Sequence, residues 1–166
     1  MTFAARVQAA LEACEARGVT MRPYQRARSP EEQARLWRQS RSAAEIVRQL
    51  DRMRQAGAEW LADVLAGVGP QSGRHVTGAP PGLSWHQHDL AVDAFWLVDG
   101  RASWSTRRKV GGLNGYAVWR EEAQSAGLYR GPVSDWPHVQ GVEAGSPLRV
   151  QTWAEIDDAM RARWGG

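Results

Sequence analysis

The segment Asp89–Phe95, "DLAVDAF", alternates residue by residue: Leu90, Val92 and Ala94 fall on one face of an extended chain, and Asp89, Ala91, Asp93 and Phe95 on the other. Other segments have helical apolar spacing. Phe3, Val7, Leu11 and Cys14 recur at the helical period and mark a first helix that ends near Gly18. With strand-like and helical segments both present along the chain, the expected class is α+β.

Further elements follow from local chemistry. "VTMRPYQRAR" alternates weakly and reads as a short strand. "SPEEQARLWRQSR" opens with Ser29, Pro30 at the first helical position and Glu32 three residues after the cap, which is a capping box. Residues 43–67 carry Ile46, Leu50, Met53, Trp60, Leu61, Val64 and Leu65 at helical spacing, as one bent helix or two short ones broken at Gly57. The Gly- and Pro-rich stretch "GVGPQSGRHVTGAPPGL" is a long loop. "VDG" at 98–100 is a turn signal, with Arg101 to Trp104 as the returning strand of a hairpin. "NGYAVWREEAQSAG" is a helix capped by Asn114 and stopped by Gly127, "DWPHVQ" a short extended piece, and a last helix spans about 152–163. With no internal repeat or linker, the 166 residues read as a single small domain.

Composition narrows the function. The lone cysteine, Cys14, excludes an internal disulfide and a cysteine-based zinc cage, and its helical register makes it a buried structural thiol. Net charge is +3, carried by arginine with Lys109 the single lysine, and no basic run interleaved with aromatics marks a nucleic-acid groove. Nine tryptophans are enough to fill a core and still line a groove for a sugar or peptide. The first residues lack a basic stretch followed by an unbroken apolar run, and no stretch of about 18 apolar residues occurs, so neither a signal peptide nor a membrane span is expected. Synthesis in the cytoplasm is expected, as a monomer.

Metal-ligand groups concentrate in "SWHQHDLAVDAFW" and "DWPH". A hydrolytic zinc site takes three imidazole or carboxylate ligands and keeps one position open. The chain offers His86, His88, Asp89, Asp93, Asp135 and His138, without the helical HExxH arrangement. Asp93 stands in an apolar strand beside the small Ala91, and a carboxylate placed there needs a partner.

The segment "VTGAPPGLSWHQHDLAVDAFW" resembles the signature of the zinc D-alanyl-D-alanine carboxypeptidase family, which includes the L-alanyl-D-glutamate endopeptidases used as phage endolysins. Its pattern, S-x-H-x-x-G-x-A-x-D followed downstream by a carboxylate, two residues and a histidine, matches Ser84, His86, Ala91, Asp93, Asp135 and His138. "RSPEEQ" matches a further family element through Arg28, Ser29 and Gln33, and the resemblance spans about residues 20–140. It implies a small α+β domain whose antiparallel sheet carries one zinc ion per chain, with helices packed around it. His86, Asp93 and His138 would be the ligands and Asp135 the base. Arg28 would bind the substrate and stabilise its oxyanion, with Ser84 and Gln33 in support. The chain departs from the pattern at Asp89, where the family has glycine. Asp89 and His88 are read as lying outside the ligand set.

The resemblance implies a peptidase that cuts peptidoglycan stem peptides, an endolysin that reaches the cell wall after release from the cytoplasm. The L-Ala-D-Glu bond is the expected target, and the terminal D-Ala-D-Ala bond is the alternative within the family. A non-catalytic, zinc-containing cell-wall or partner-binding module is the competing class. Asp135 speaks against it, because a structural site needs no base.

Overall fold

The computed structural model describes residues 1–25 and 27–166. Arg26, inside the stretch read as a strand, lies outside the described residues. In chain order the elements are α1 (Phe3–Ala16), β1 (Thr20–Gln25), α2 (Pro30–Arg38), α3 (Ala43–Gln55), α4 (Glu59–Gly67), β2 (Ala91–Val98), β3 (Arg101–Ser103), α5 (Gly115–Ser125), β4 (Tyr129–Arg130), β5 (His138–Gln140) and α6 (Trp153–Trp164). Short 3-10 turns occupy Trp85–His88 and Pro147–Arg149. The fold is α+β, with six helices and a five-stranded antiparallel sheet among the described residues. No helix among them is long and apolar enough to cross a membrane. The chain groups into two compact units, one of Met1–Ala27 with Asp89–Gly145, the other of Arg28–His88 with Ser146–Gly166.

The first unit is built on β2. β1 pairs along one of its edges, while the other edge takes β5 at Ala91–Asp93 and β3 at Trp96–Val98. The alternation read from the sequence is realised in the burial of β2. Val92, Ala94, Trp96 and Val98 enter a core with Val7, Ala10 and Cys14 of α1 and Tyr116, Trp119 and Ala123 of α5. Asp93, Phe95 and Leu97 occupy the other face, half-buried. Buried Cys14 has its thiol pKa pushed up to about 12, chiefly by loss of solvent, which leaves it an inert packing group. The expected hairpin forms with Asp99 and Gly100 as its two turn residues, both at positive φ (50° and 72°), the geometry that suits the twist of the flanking strands.

The second unit is helical. Its core joins Ala34 and Trp37 of α2, Met53 of α3, Leu61, Ala62 and Leu65 of α4, and Trp153, Ile156 and Met160 of α6. Residues 43–67 form two helices rather than one bent one, with Gly57 in the break. Ser29 with Glu32, Ser42 with Glu45 and Thr152 with Glu155 close capping boxes on α2, α3 and α6. α4 has only Ala58 at its cap position and takes its terminal partners from other helices. At its start the Asp157 carboxylate accepts the N–H groups of Leu61 (2.7 Å) and Trp60 (3.3 Å). At its end Arg38 donates to the carbonyls of Leu65 (2.9 Å) and Ala66 (3.3 Å).

Candidate metal centre

Asp93 and His138 are cross-strand partners on β2 and β5. Pro137 sets this register: its carbonyl accepts the Ala94 N–H at 3.2 Å, so β5 starts at the next residue. His138 Nδ1–H donates to Asp93 Oδ1 at 3.0 Å. A side-chain carbon at Gly131 would lie 2.6 Å from His138 Cδ2, so only glycine there lets the ring lie against that backbone.

The far nitrogen of the ring is also committed. Gln140, buried and two residues along β5, donates its amide N–H groups to the carbonyls of Val142 (2.6 Å) and Ala144 (2.9 Å). Its Oε1 is thereby the acceptor and faces His138 Nε2 at 3.2 Å, so Nε2 carries a hydrogen. Burial opposes a charge on this ring. The hydrogen bond and charge of Asp93, the charge of Asp135 and the bond to Gln140 outweigh it, and the His138 pKa stands above the usual histidine value. When protonated, the ring donates from both nitrogens, and its Nδ1, facing Asp93, is the atom a metal would occupy in place of the proton.

One ligand atom each of His86, Asp93 and His138 lies within 4.8 Å of the other two, and the group could hold a metal ion. The donor set suits it. Two ligand atoms bound tetrahedrally to one ion, with bonds of about 2.0–2.1 Å, stand about 3.3–3.4 Å apart, a few tenths of an ångström beyond the 3.0 Å between His138 Nδ1 and Asp93 Oδ1. The carboxylate supplies charge, and the outer nitrogen of His138 has the fixed partner that metal-binding imidazoles require.

The stretch holding His86 departs from the loop-and-strand reading. Trp85–His88 is a 3-10 turn, opened by the Ser84 carbonyl accepting the Gln87 N–H at 2.9 Å, and the strand begins only at Ala91. His86 and Gln87 are buried by this turn, and the Gln87 amide oxygen accepts the Gly82 N–H at 2.9 Å. His88 is not extended beside His86. Its Nε2 lies 3.0 Å from the Gly82 carbonyl and its ring meets Trp85 edge-on. Burial first, and then the charge of Arg163, depress its pKa against the opposing pull of that carbonyl.

Asp89 lies exposed between the turn and the strand at φ 54°, the left-handed conformation that glycine adopts freely. Strand parity therefore does not reach it, and it does not share the face of Asp93. Asp89→Gly should leave stability and metal content unchanged to within about 1 kcal/mol, whereas Asp89→Val should cost about 1–2 kcal/mol in thermal melts. Equal stability of the two variants would contradict the strained φ.

The "RSPEEQ" element is assembled around Gln33, which is fully buried. Its amide donates to the Ala79 carbonyl at 2.6 Å and to Thr77 Oγ1 at 3.3 Å, and its Oε1 accepts from Arg28 Nη1 at 2.8 Å. The Arg28 backbone N–H donates to the His86 carbonyl at 3.3 Å. Ser29 serves as the α2 cap. Asp135 lies exposed on the loop before β5, its N–H donated to the Pro132 carbonyl at 2.9 Å, and its charge acts on His138. The tryptophans divide: Trp37, Trp85, Trp96, Trp119 and Trp153 are core, while Trp104 is 52% exposed and packs with Tyr24 and Phe95.

Sequence reasoning did not single out Gln140. The signal was present in "HVQ", where a period-two strand places residues 138 and 140 on one face. No protein-family model matches the sequence, and no curated protein matches it.

Proposed function

We propose that the protein is a zinc-dependent peptidase acting on peptidoglycan stem peptides, with the L-Ala-D-Glu bond as its target. The observation that carries this reading is the His86, Asp93 and His138 group with Asp135 three residues ahead of His138, in electrostatic contact with it. Zinc in that group would supply Lewis acidity to the scissile carbonyl. Asp135, exposed on the loop before β5, takes the proton of the attacking water and passes it to the leaving amine. Arg28, anchored through Gln33, supplies a fixed, permanently charged donor for the developing oxyanion. A purely structural metal site would use none of these three contributions.

The test is elemental analysis of the purified protein, followed by digestion of purified cell walls and mass spectrometry of the fragments. One zinc per chain and new D-Glu amino termini are expected; loss of a terminal D-Ala would shift the target to the D-Ala-D-Ala bond. Asp135→Ala should keep the metal and lose about 10²–10⁴-fold in rate. Cell walls left intact by zinc-loaded protein would overturn the peptidase reading in favour of a binding module.

A further inference from the structure

The loop that carries Asp135 runs from Gly131 to the start of β5, and two consecutive side chains of α5 grip it on either side of that residue. Arg120 is buried, and its Nη2 donates to the Pro132 carbonyl at 3.1 Å. The same carbonyl accepts the Asp135 N–H at 2.9 Å, closing the turn that presents the carboxylate. The Arg120 guanidinium also lies over the ring of Trp136, 4.7 Å from its centroid, and its charge interacts with that of Asp135. Beyond Trp136, the Trp119 indole Nε1–H donates to the Pro137 carbonyl at 3.1 Å, the carbonyl that also receives the Ala94 N–H from β2.

We propose that Arg120 and Trp119 are positioning residues that fix Asp135 relative to His138, Arg120 by holding the Pro132 carbonyl and the Trp136 ring, Trp119 by holding the Pro137 carbonyl. The inference rests on Asp135 acting as the base in the peptidase reading above. Its physical basis is the geometry of proton transfer. A base must stand within hydrogen-bond reach of the proton it takes, and an error of about 1 Å can cost about 100-fold in rate. An exposed loop lacks the packing to hold that tolerance by itself. Here the backbone acceptors on either side of Asp135 are tied to a helix whose own core contacts are Tyr116, Trp119 and Ala123. Arg120 places a buried planar donor and a stacking face on one side chain, a combination that lysine cannot reproduce.

The experiment compares wild type, Asp135→Ala, Arg120→Gln, Arg120→Lys and Trp119→Phe as full-length zinc-loaded proteins on purified muropeptides, with metal content and melting temperature measured for each. Arg120→Gln is expected to lower kcat about 10- to 100-fold with KM within about twofold of wild type and one zinc per chain retained. Arg120→Lys, which keeps a donor and a charge but not the stack, should recover part of that loss. Trp119→Phe, which retains an aromatic ring but loses the N–H together with part of the indole's volume in the core, gives a second reading, corrected by its melting temperature, should Arg120→Gln fail to fold. Unchanged kcat in the folded variants overturns the proposal. So does a loss of activity that tracks loss of zinc, or a rise in KM at constant kcat. Wild type that cuts no muropeptide sinks the peptidase reading and this inference with it. Active wild type, inactive Asp135→Ala and fully active Arg120 and Trp119 variants sink the inference alone.

Discussion

Asp93→Ala should strip the protein of bound metal and, on the peptidase reading, of hydrolysis. The substitution removes a candidate ligand and its charge, and it deprives His138 Nδ1 of the carboxylate 3.0 Å away. Loss of only an outer partner of a metal-binding histidine costs about 10- to 100-fold in affinity, and loss of a ligand should exceed about 100-fold. Gln140→Ala supplies the graded comparison. It leaves all three ligands and removes the acceptor that holds the Nε2 hydrogen, so a fall of about 10- to 100-fold is expected. Competition against a chromophoric chelator reads both. Stoichiometric metal on Asp93→Ala after dialysis would show that this group is not the metal site. The pH dependence has a definite sign. Metal binding needs the Nδ1 proton gone, and the His138 pKa is raised, so the ring is protonated up to a higher pH than an ordinary histidine. Metal release on acidification should therefore begin at a higher pH than an unperturbed imidazole would allow.

Asp157→Ala should strongly destabilise the helical unit. Asp157 is 7% exposed, and its carboxylate accepts two N–H groups at the start of α4, which has no side-chain cap of its own. Hydrogen bonds to a charged acceptor are worth about 1.5–3 kcal/mol each, and the α4 dipole adds to them. The pair is not additive, so a loss of about 2–4 kcal/mol is expected, or about 5–15 °C in melting temperature for a chain of this size. Asp157→Asn, which keeps an acceptor without the charge, should lose roughly half as much. A loss below about 0.5 kcal/mol in Asp157→Ala would mean that water caps α4 equally well.

What could be read from the sequence is what local spacing encodes. The alternation through Val92, Asp93 and Ala94 placed β2 and the odd carboxylate on it; the Ser29 and Glu32 pair placed the start of α2; Asp99 and Gly100 placed the hairpin. Each depends on residues within a few positions of one another. The two-residue β4 has too few residues to show a period. The turn at Trp85–His88 escaped because a single 3-10 turn leaves no apolar repeat, and two alternating histidines look like a strand. The caps of α4 escaped for a different reason. Asp157 and Leu61 stand 96 positions apart, and Arg38 and Leu65 stand 27 apart, distances over which no spacing rule applies. Arg120 escaped likewise, since an arginine on a helix reads as a solvated face until the loop it holds is seen.

Those distant caps have a consequence for the order in which the chain is made. At about 5–20 residues per second, a ribosome delivers Asp157 several seconds after Leu61. Through that interval α4 has bare N–H groups at its start, and Leu61, Ala62 and Leu65 lack the Trp153, Ile156 and Met160 surface that later covers them. The helical unit therefore keeps that apolar surface uncovered while it waits, and it is completed only when its last helix clears the exit tunnel.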